Sequence, residues 1–271
     1  MLRVPVTAVV LVAALLHASW NALLKPVDAR VAVLAVGELV VALACVAAAP
    51  FVVPRSAAWA FLAASGVMHV VYGLLLMRSY EIGDFNQVYP IARGTSPLLV
   101  TLAALVVAHE HPSAAQVSGV LVISTGLALL AGRPRVWQGA AVGLAALTGV
   151  TIACYTVLDG LGVRHAGTPV GYTIWLFALQ GLLFALVSRR SLRNGWSQLP
   201  LGALVSALSA LAYGLVIWAQ KHGALGPIAA LRETSVIAAA AIGAIAFHER
   251  LGFRRVAAAT VVAAGVVLMN L

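Results

Sequence analysis

The chain has 271 residues, of which 62% are hydrophobic and 9% charged. That balance excludes a disordered chain, which needs more charge and less apolar surface. It also departs from a soluble domain, in which about a quarter of the residues are charged. The net charge of +9 does not signal a nucleic-acid partner, because the Lys and Arg residues are scattered and form no basic face.

What remains is an all-α integral membrane protein. A helix needs about 20 apolar residues to cross the hydrocarbon core. Charged residues, prolines and polar clusters mark off ten apolar runs, at 5–24, 31–53, 58–79, 85–108, 113–131, 136–158, 170–188, 201–220, 224–247 and 252–270. Ten spans leave only short connections and no room for a soluble domain.

In the first run, Arg3 before an apolar stretch and Leu16-His17-Ala18 have the outline of a signal peptide. A counterpart later in the chain makes the segment a span instead. His17 and Asn21 are four apart and share a face, with Trp20 beside them. Glu38 lies in mid-span of the second run. A carboxyl at that depth is a candidate proton carrier or a counter-ion for an arginine. His69 and Tyr72 share a face of the third run. The fourth contains Tyr89, Arg93 and two internal prolines, Pro90 and Pro97. Proline breaks helical hydrogen bonds, which is tolerated at membrane depth beside a cavity.

Trp59, Trp137 and Trp196 stand at span entrances, as in an interfacial aromatic belt. Gly139 and Gly143 form a GxxxG pair for close helix approach. Cys45 and Cys154 read as small buried side chains, and Asp159-Gly160 as a helix-ending turn. Tyr155, Trp175 and Tyr213 offer amphipathic walls for an organic solute. Arg232 and Glu233 join His17, Glu38, His69 and Arg93 as the ionisable residues that stand out inside the runs. His109, Glu110 and His111 read as solvated loop residues and match no metal motif.

The polar residues reveal a repeat. Arg93-Gly94-Thr95-Ser96 precedes an apolar run ending at His109-Glu110. Arg232-Glu233-Thr234-Ser235 precedes an equal run ending at His248-Glu249, with an offset of 139 residues. Gly126 and Gly265 keep that offset in the run that follows. The chain therefore divides into two five-helix repeats, 1–131 and 136–271. Five is odd, so the second half enters the membrane in the opposite sense. In transporters such inverted repeats place the substrate site at their interface near the midplane. Two inward arginines there suit a carboxylate or phosphonate, which guanidinium binds in bidentate fashion.

These features resemble the drug/metabolite transporter superfamily, in particular its EamA-type members. The resemblance is carried by His17-Ala-Ser-Trp-Asn-Ala-Leu-Leu-Lys25, by the two Arg-x-Thr-Ser…His-Glu stretches, and by the turns Ala108-His109-Glu110-His111 and Phe247-His248-Glu249-Arg250. The first turn lacks the arginine of the family's Gly-Glu-Arg-like pattern. The resemblance implies a ten-helix carrier of small metabolites in the inner membrane. Such carriers often export amino acids or related compounds, and the first-helix pattern resembles members associated with phosphonate use.

The expected substrate contacts are His17, Trp20, Asn21, His69, Tyr72, Tyr89, Arg93, Tyr155, Trp175, Tyr213 and Arg232. Glu38 and Glu233 are expected to carry a proton or act as counter-ions. The expected partners are a small-molecule substrate, H+ and the lipid bilayer. No catalytic, cofactor, metal or nucleotide motif is present, so the chain reads as a non-enzyme. The alternatives are a multidrug-type exporter of the same fold and a non-transporting membrane subunit. Counting loop cations gives eleven on the face reached by Lys25 and Arg30 and four on the face reached by Arg3. The positive-inside rule then puts both termini outside, whereas the family resemblance puts them inside.

Overall fold

The computed structural model describes residues 4–82, 85–131, 139–248 and 252–271. Those residues form helices and no strand. The helices are α1 (Val4–Leu24), α2 (Arg30–Ala48), α3 (Trp59–Ile82), α4 (Phe85–Val107), α5 (Ala114–Ala131) and α6 (Gly139–His165). They continue as α7 (Pro169–Val187), α8 (Arg189–Gly195), α9 (Leu199–His222), α10 (Leu225–Arg232), α11 (Ser235–Ala246) and α12 (Phe253–Met269). Eight helical stretches are long and apolar enough to cross a membrane. The helices α5 and α12 are shorter, at 18 and 17 residues.

Local sequence sets several boundaries. Thr168 caps α7 by accepting from the Gly171 N–H, and Pro169 follows where a helix needs no donor. Ser113 and Gln116 form a reciprocal capping box before α5, with the Gln116 N–H on Ser113 Oγ at 3.2 Å and the Ser113 N–H on Gln116 Oε1 at 2.9 Å. The turns after α4 and α11 place His109 and His248 at φ of 49° and 50°.

Two expectations about the spans change. The ninth run is two helices, because α10 ends in a tight turn. There Glu233 N–H bonds Ala230 O, and Thr234 N–H bonds Leu231 O, before α11 resumes. The proline-bearing α4 instead runs unbroken through Pro90 and Pro97.

The packing interleaves the chain. α1 lies on α9 and α11, α2 on α7 and α9, α3 on α6 and α7, α4 on α5 and α6, and α5 on α12. Large apolar side chains such as Leu102, Val106, Leu186 and Ile245 face outward, as a bilayer solvent allows. α2 and α9 approach each other closely. A Cβ on Gly37 would stand 2.1 Å from the Gly202 carbonyl oxygen. By contrast, Gly139 and Gly143 have nothing within 4 Å of such a Cβ. The GxxxG pair therefore makes no close helix contact among the described residues. Cys45 is half-buried and Cys154 exposed, against the expectation of burial. Trp59 and Trp196 are exposed at their helix starts, and Trp137 lies outside the described residues.

Candidate functional site

The turn between α10 and α11 creates a charged centre inside the bundle. Arg93 comes from α4, while Arg232 and Glu233 come from the end of α10. The exposures are 5%, 4% and 0%. Arg93 Nε stands 2.9 Å from Glu233 Oε2, and a second Arg93 nitrogen reaches Ser235 Oγ at 3.4 Å. Arg232 Nε is 4.0 Å from Glu233 Oε1, a loose charge contact beyond hydrogen-bond distance. The Nε and one terminal nitrogen of Arg232 are buried and have no hydrogen-bond partner among the described residues. Two guanidiniums against one carboxylate leave this centre with an excess positive charge.

From α1, His17 lies within electrostatic reach of both arginines. Its ring meets Trp20 edge-on at 5.0 Å. Asn21 Nδ2 donates to His17 O at 2.8 Å, so part of its amide is engaged within its own helix. Trp20 Nε1 is buried with no partner among the described residues.

A second polar centre involves a residue that sequence reasoning placed in a turn. Asp159 lies inside α6 and is fully buried. Tyr172 from α7 donates to its Oδ1 at 3.0 Å, and Tyr213 from α9 donates to its Oδ2 at 2.5 Å. The Ser65 hydroxyl of α3 lies 3.2 Å from His69 Nδ1. His69 Nε2 faces Oδ2 at 3.9 Å. The His69 ring stacks on Tyr155 at 4.0 Å and meets Tyr213 edge-on at 5.3 Å. Tyr72 reaches Tyr155 at 5.6 Å. Tyr155 lies within electrostatic reach of Arg93, Arg232, Glu233 and Asp159, so the two centres are neighbours. His69, Tyr72, Tyr155 and Tyr213 thus form one cluster.

Other expected contacts lie elsewhere. Glu38 faces Ser206 of α9 and Gln180 of α7, and no arginine is paired with it among the described residues. Trp175 donates to Ala49 O at 3.2 Å and packs edge-on against Trp59 at 4.7 Å, with the interfacial tryptophans. The Tyr89 side chain lies outside the described residues. Among the described residues, no three His, Cys, Asp or Glu side chains converge as metal ligands. A groove of about 310 Å³ between α7 and α9, lined by Val170, Ile174, Leu211 and Trp218, is apolar and holds none of these charges.

At one end of the bundle Glu110 forms a polar latch instead of being solvated, while His109 and His111 beside it are exposed. Glu110 Oε1 meets Arg164 at 2.5 Å, and Glu110 Oε2 accepts the Leu225 N–H at 2.8 Å, capping α10. Arg164 also donates to Gln220 O at 3.2 Å and Gly223 O at 2.9 Å. The latch joins the turn after α4 to the ends of α6, α9 and α10. Its counterpart turn includes Glu249 and Arg250, which lie outside the described residues.

Residues 139–271, with Arg232, Glu233 and the His248 turn among them, match the family model described as the EamA-like transporter family. The chain belongs to the EamA-like transporter family. No curated protein matches this EamA-like sequence. A solved structure titled "Crystal structure of protein" is similar to it, with a TM-score of 0.74 and 17% identity over 99% of each chain. That likeness concerns the fold. Members of the family are generally transporters, so the EamA-like chain is a multi-pass membrane protein of transporter type.

Proposed function

We propose that this EamA-like chain is a secondary transporter of a small polar metabolite bearing an anionic group: an amino acid, a related organic acid or a phosphonate-like compound. It works by alternating access, in gradient-driven export or exchange across the cytoplasmic membrane. Its ten spans are two inverted five-helix repeats. The repeat reading is supported by the packing pattern, in which α1 on α9 is answered by α6 on α3, and α2 on α9 by α7 on α3. It is also supported by the matching backbone at His109 and His248. Glu38 is the proposed proton carrier, because it is half-buried against α7 and α9 and has no cation paired with it among the described residues.

The observation that carries the substrate reading is Arg232. A buried guanidinium with unused donors is costly, and an incoming carboxylate or phosphonate would satisfy it. Glu233 pairs with Arg93 at 2.9 Å and reaches Arg232 only at 4.0 Å. The same surplus of positive charge disfavours a cationic drug. The test is uptake into proteoliposomes by the purified chain and its Arg232→Gln variant, screened over amino acids, organic acids and phosphonates. The expected result is uptake of at least one anionic compound, lowered about tenfold or more by the substitution. Unchanged uptake in the variant would sink the assignment of Arg232.

A further inference from the structure

The apolar groove between α7 and α9 plays no part in the charged centres. Its origin lies in local sequence. Ala210 and Gly214 stand one turn apart on the α9 face that lines it, and neither carries a side chain large enough to fill the space. A Cβ on Gly214 would meet only Thr173 Cγ2, at 3.2 Å. Val170 and Leu211 on its rim are exposed. Both helices are long and apolar enough to cross a membrane, so the groove opens toward hydrocarbon. From Ala210 to Trp218, α9 rises about 12 Å. That is close to the depth of one leaflet, half of a hydrocarbon core about 30 Å thick. An apolar void stays dry, and in a bilayer an acyl chain is the apolar matter at hand.

The end of the groove marked by Pro169 and Trp218 carries a basic rim. Lys221, one turn past Trp218, reaches across to the start of α7, where its Nζ donates to Gly167 O at 2.6 Å. An ammonium has three donors, so two are left for another acceptor. Arg55 stands beside the same turn: a Cβ on Gly167 would lie 3.1 Å from Arg55 Nε. Neither cation is paired with a carboxylate among the described residues, and Glu110 at this end is paired with Arg164. The Trp218 indole lies against the His222 ring, with centroids 4.4 Å apart. An amphipathic aromatic thus sits where the apolar groove meets charge, as at a membrane interface. We propose that α7 and α9 hold one anionic phospholipid, its acyl chain in the groove and its phosphate on Lys221 and Arg55. A phosphatidylcholine headgroup carries its own cation, which Lys221 and Arg55 repel, so net headgroup charge decides occupancy. The site does not depend on which solute the chain carries.

The test is quenching of Trp218 fluorescence in the full-length chain reconstituted into phosphatidylcholine vesicles. Either phosphatidylglycerol or phosphatidylcholine brominated on its acyl chains is added in increasing mole fraction. The difference between the wild type and Trp218→Phe isolates the Trp218 emission. Its half-quenching should need about tenfold less brominated phosphatidylglycerol than brominated phosphatidylcholine. The double variant Lys221→Gln, Arg55→Gln should bring the two curves together while Trp218 is still quenched. Coincident curves in the wild type would overturn the proposal, as would a preference that survives in the double variant. Trp218 emission that neither lipid quenches would also overturn it, and would point to a second copy of the chain seated on the groove. If Trp218→Phe does not fold, Gly214→Leu, whose side chain would occupy the groove, should remove the same quenched fraction from the total emission.

Discussion

The latch at Glu110 and Arg164 gives a quantitative prediction. Glu110→Gln keeps an oxygen to accept the Leu225 N–H but removes the charge facing Arg164. Arg164→Gln removes that contact and both carbonyl contacts, to Gln220 and Gly223. A hydrogen bond to a charged group contributes about 1.5–3 kcal/mol. The Arg164 and Glu110 side chains are 28% and 12% exposed, respectively, so solvent screens part of this. Glu110→Gln should therefore destabilise by about 1–2 kcal/mol, and Arg164→Gln by about 2–3 kcal/mol. The double variant should cost less than the sum by about 1 kcal/mol, because the shared contact is lost only once. Reversible unfolding of the purified chain in mixed micelles, followed by circular dichroism, measures all four species. Strict additivity within about 0.5 kcal/mol would show that the two residues do not act as a pair.

Three further outcomes follow from the geometry. Gly37→Ala should lower stability by about 1–3 kcal/mol, because its Cβ meets the Gly202 carbonyl. Gly143→Ala, with open space at its Cβ, should be neutral or stabilising by about 0.5–1 kcal/mol; equal thermal shifts for the two would contradict this packing. His109→Gly and His248→Gly each relieve a left-handed backbone and should stabilise by about 0.5–1 kcal/mol, and opposite signs in melting experiments would argue against equivalent turns. Glu38→Gln should abolish the part of proteoliposome uptake driven by a pH gradient, and intact coupling would eliminate Glu38 as the proton carrier.

The helices and their rough limits were readable because a bilayer demands long apolar runs, interrupted only where the chain leaves it. The pairing of Arg93 with the Arg232-Glu233 segment was foreshadowed by the 139-residue offset. Asp159 was not readable as a buried hub. Asp-Gly favours a turn in water, yet here α6 continues to His165. The glycine serves packing, since a Cβ on Gly160 would stand 2.4 Å from Leu225 Cδ2. The aspartate finds its donors on the next two long helices, Tyr172 of α7 and Tyr213 of α9, 13 and 54 residues away. Glu110 was misread for the same reason: its partners Arg164 and Leu225 are 54 and 115 residues distant, and no local pattern announces them. The break at Glu233-Thr234 also lacks a signal, while the prolines that would announce one lie in the intact α4.

The interleaved packing has a mechanical consequence. Residues 4–131 and 139–271 do not form two lobes, because α1 and α2 rest on α9 while α6 rests on α3 and α4. The tight glycine contact of α2 with α9 joins the two stretches backbone to backbone. Sliding one stretch as a block against the other would tear these seams open. Any large rocking movement must use rigid bodies assembled from both stretches, with the connections between consecutive helices serving as the hinges.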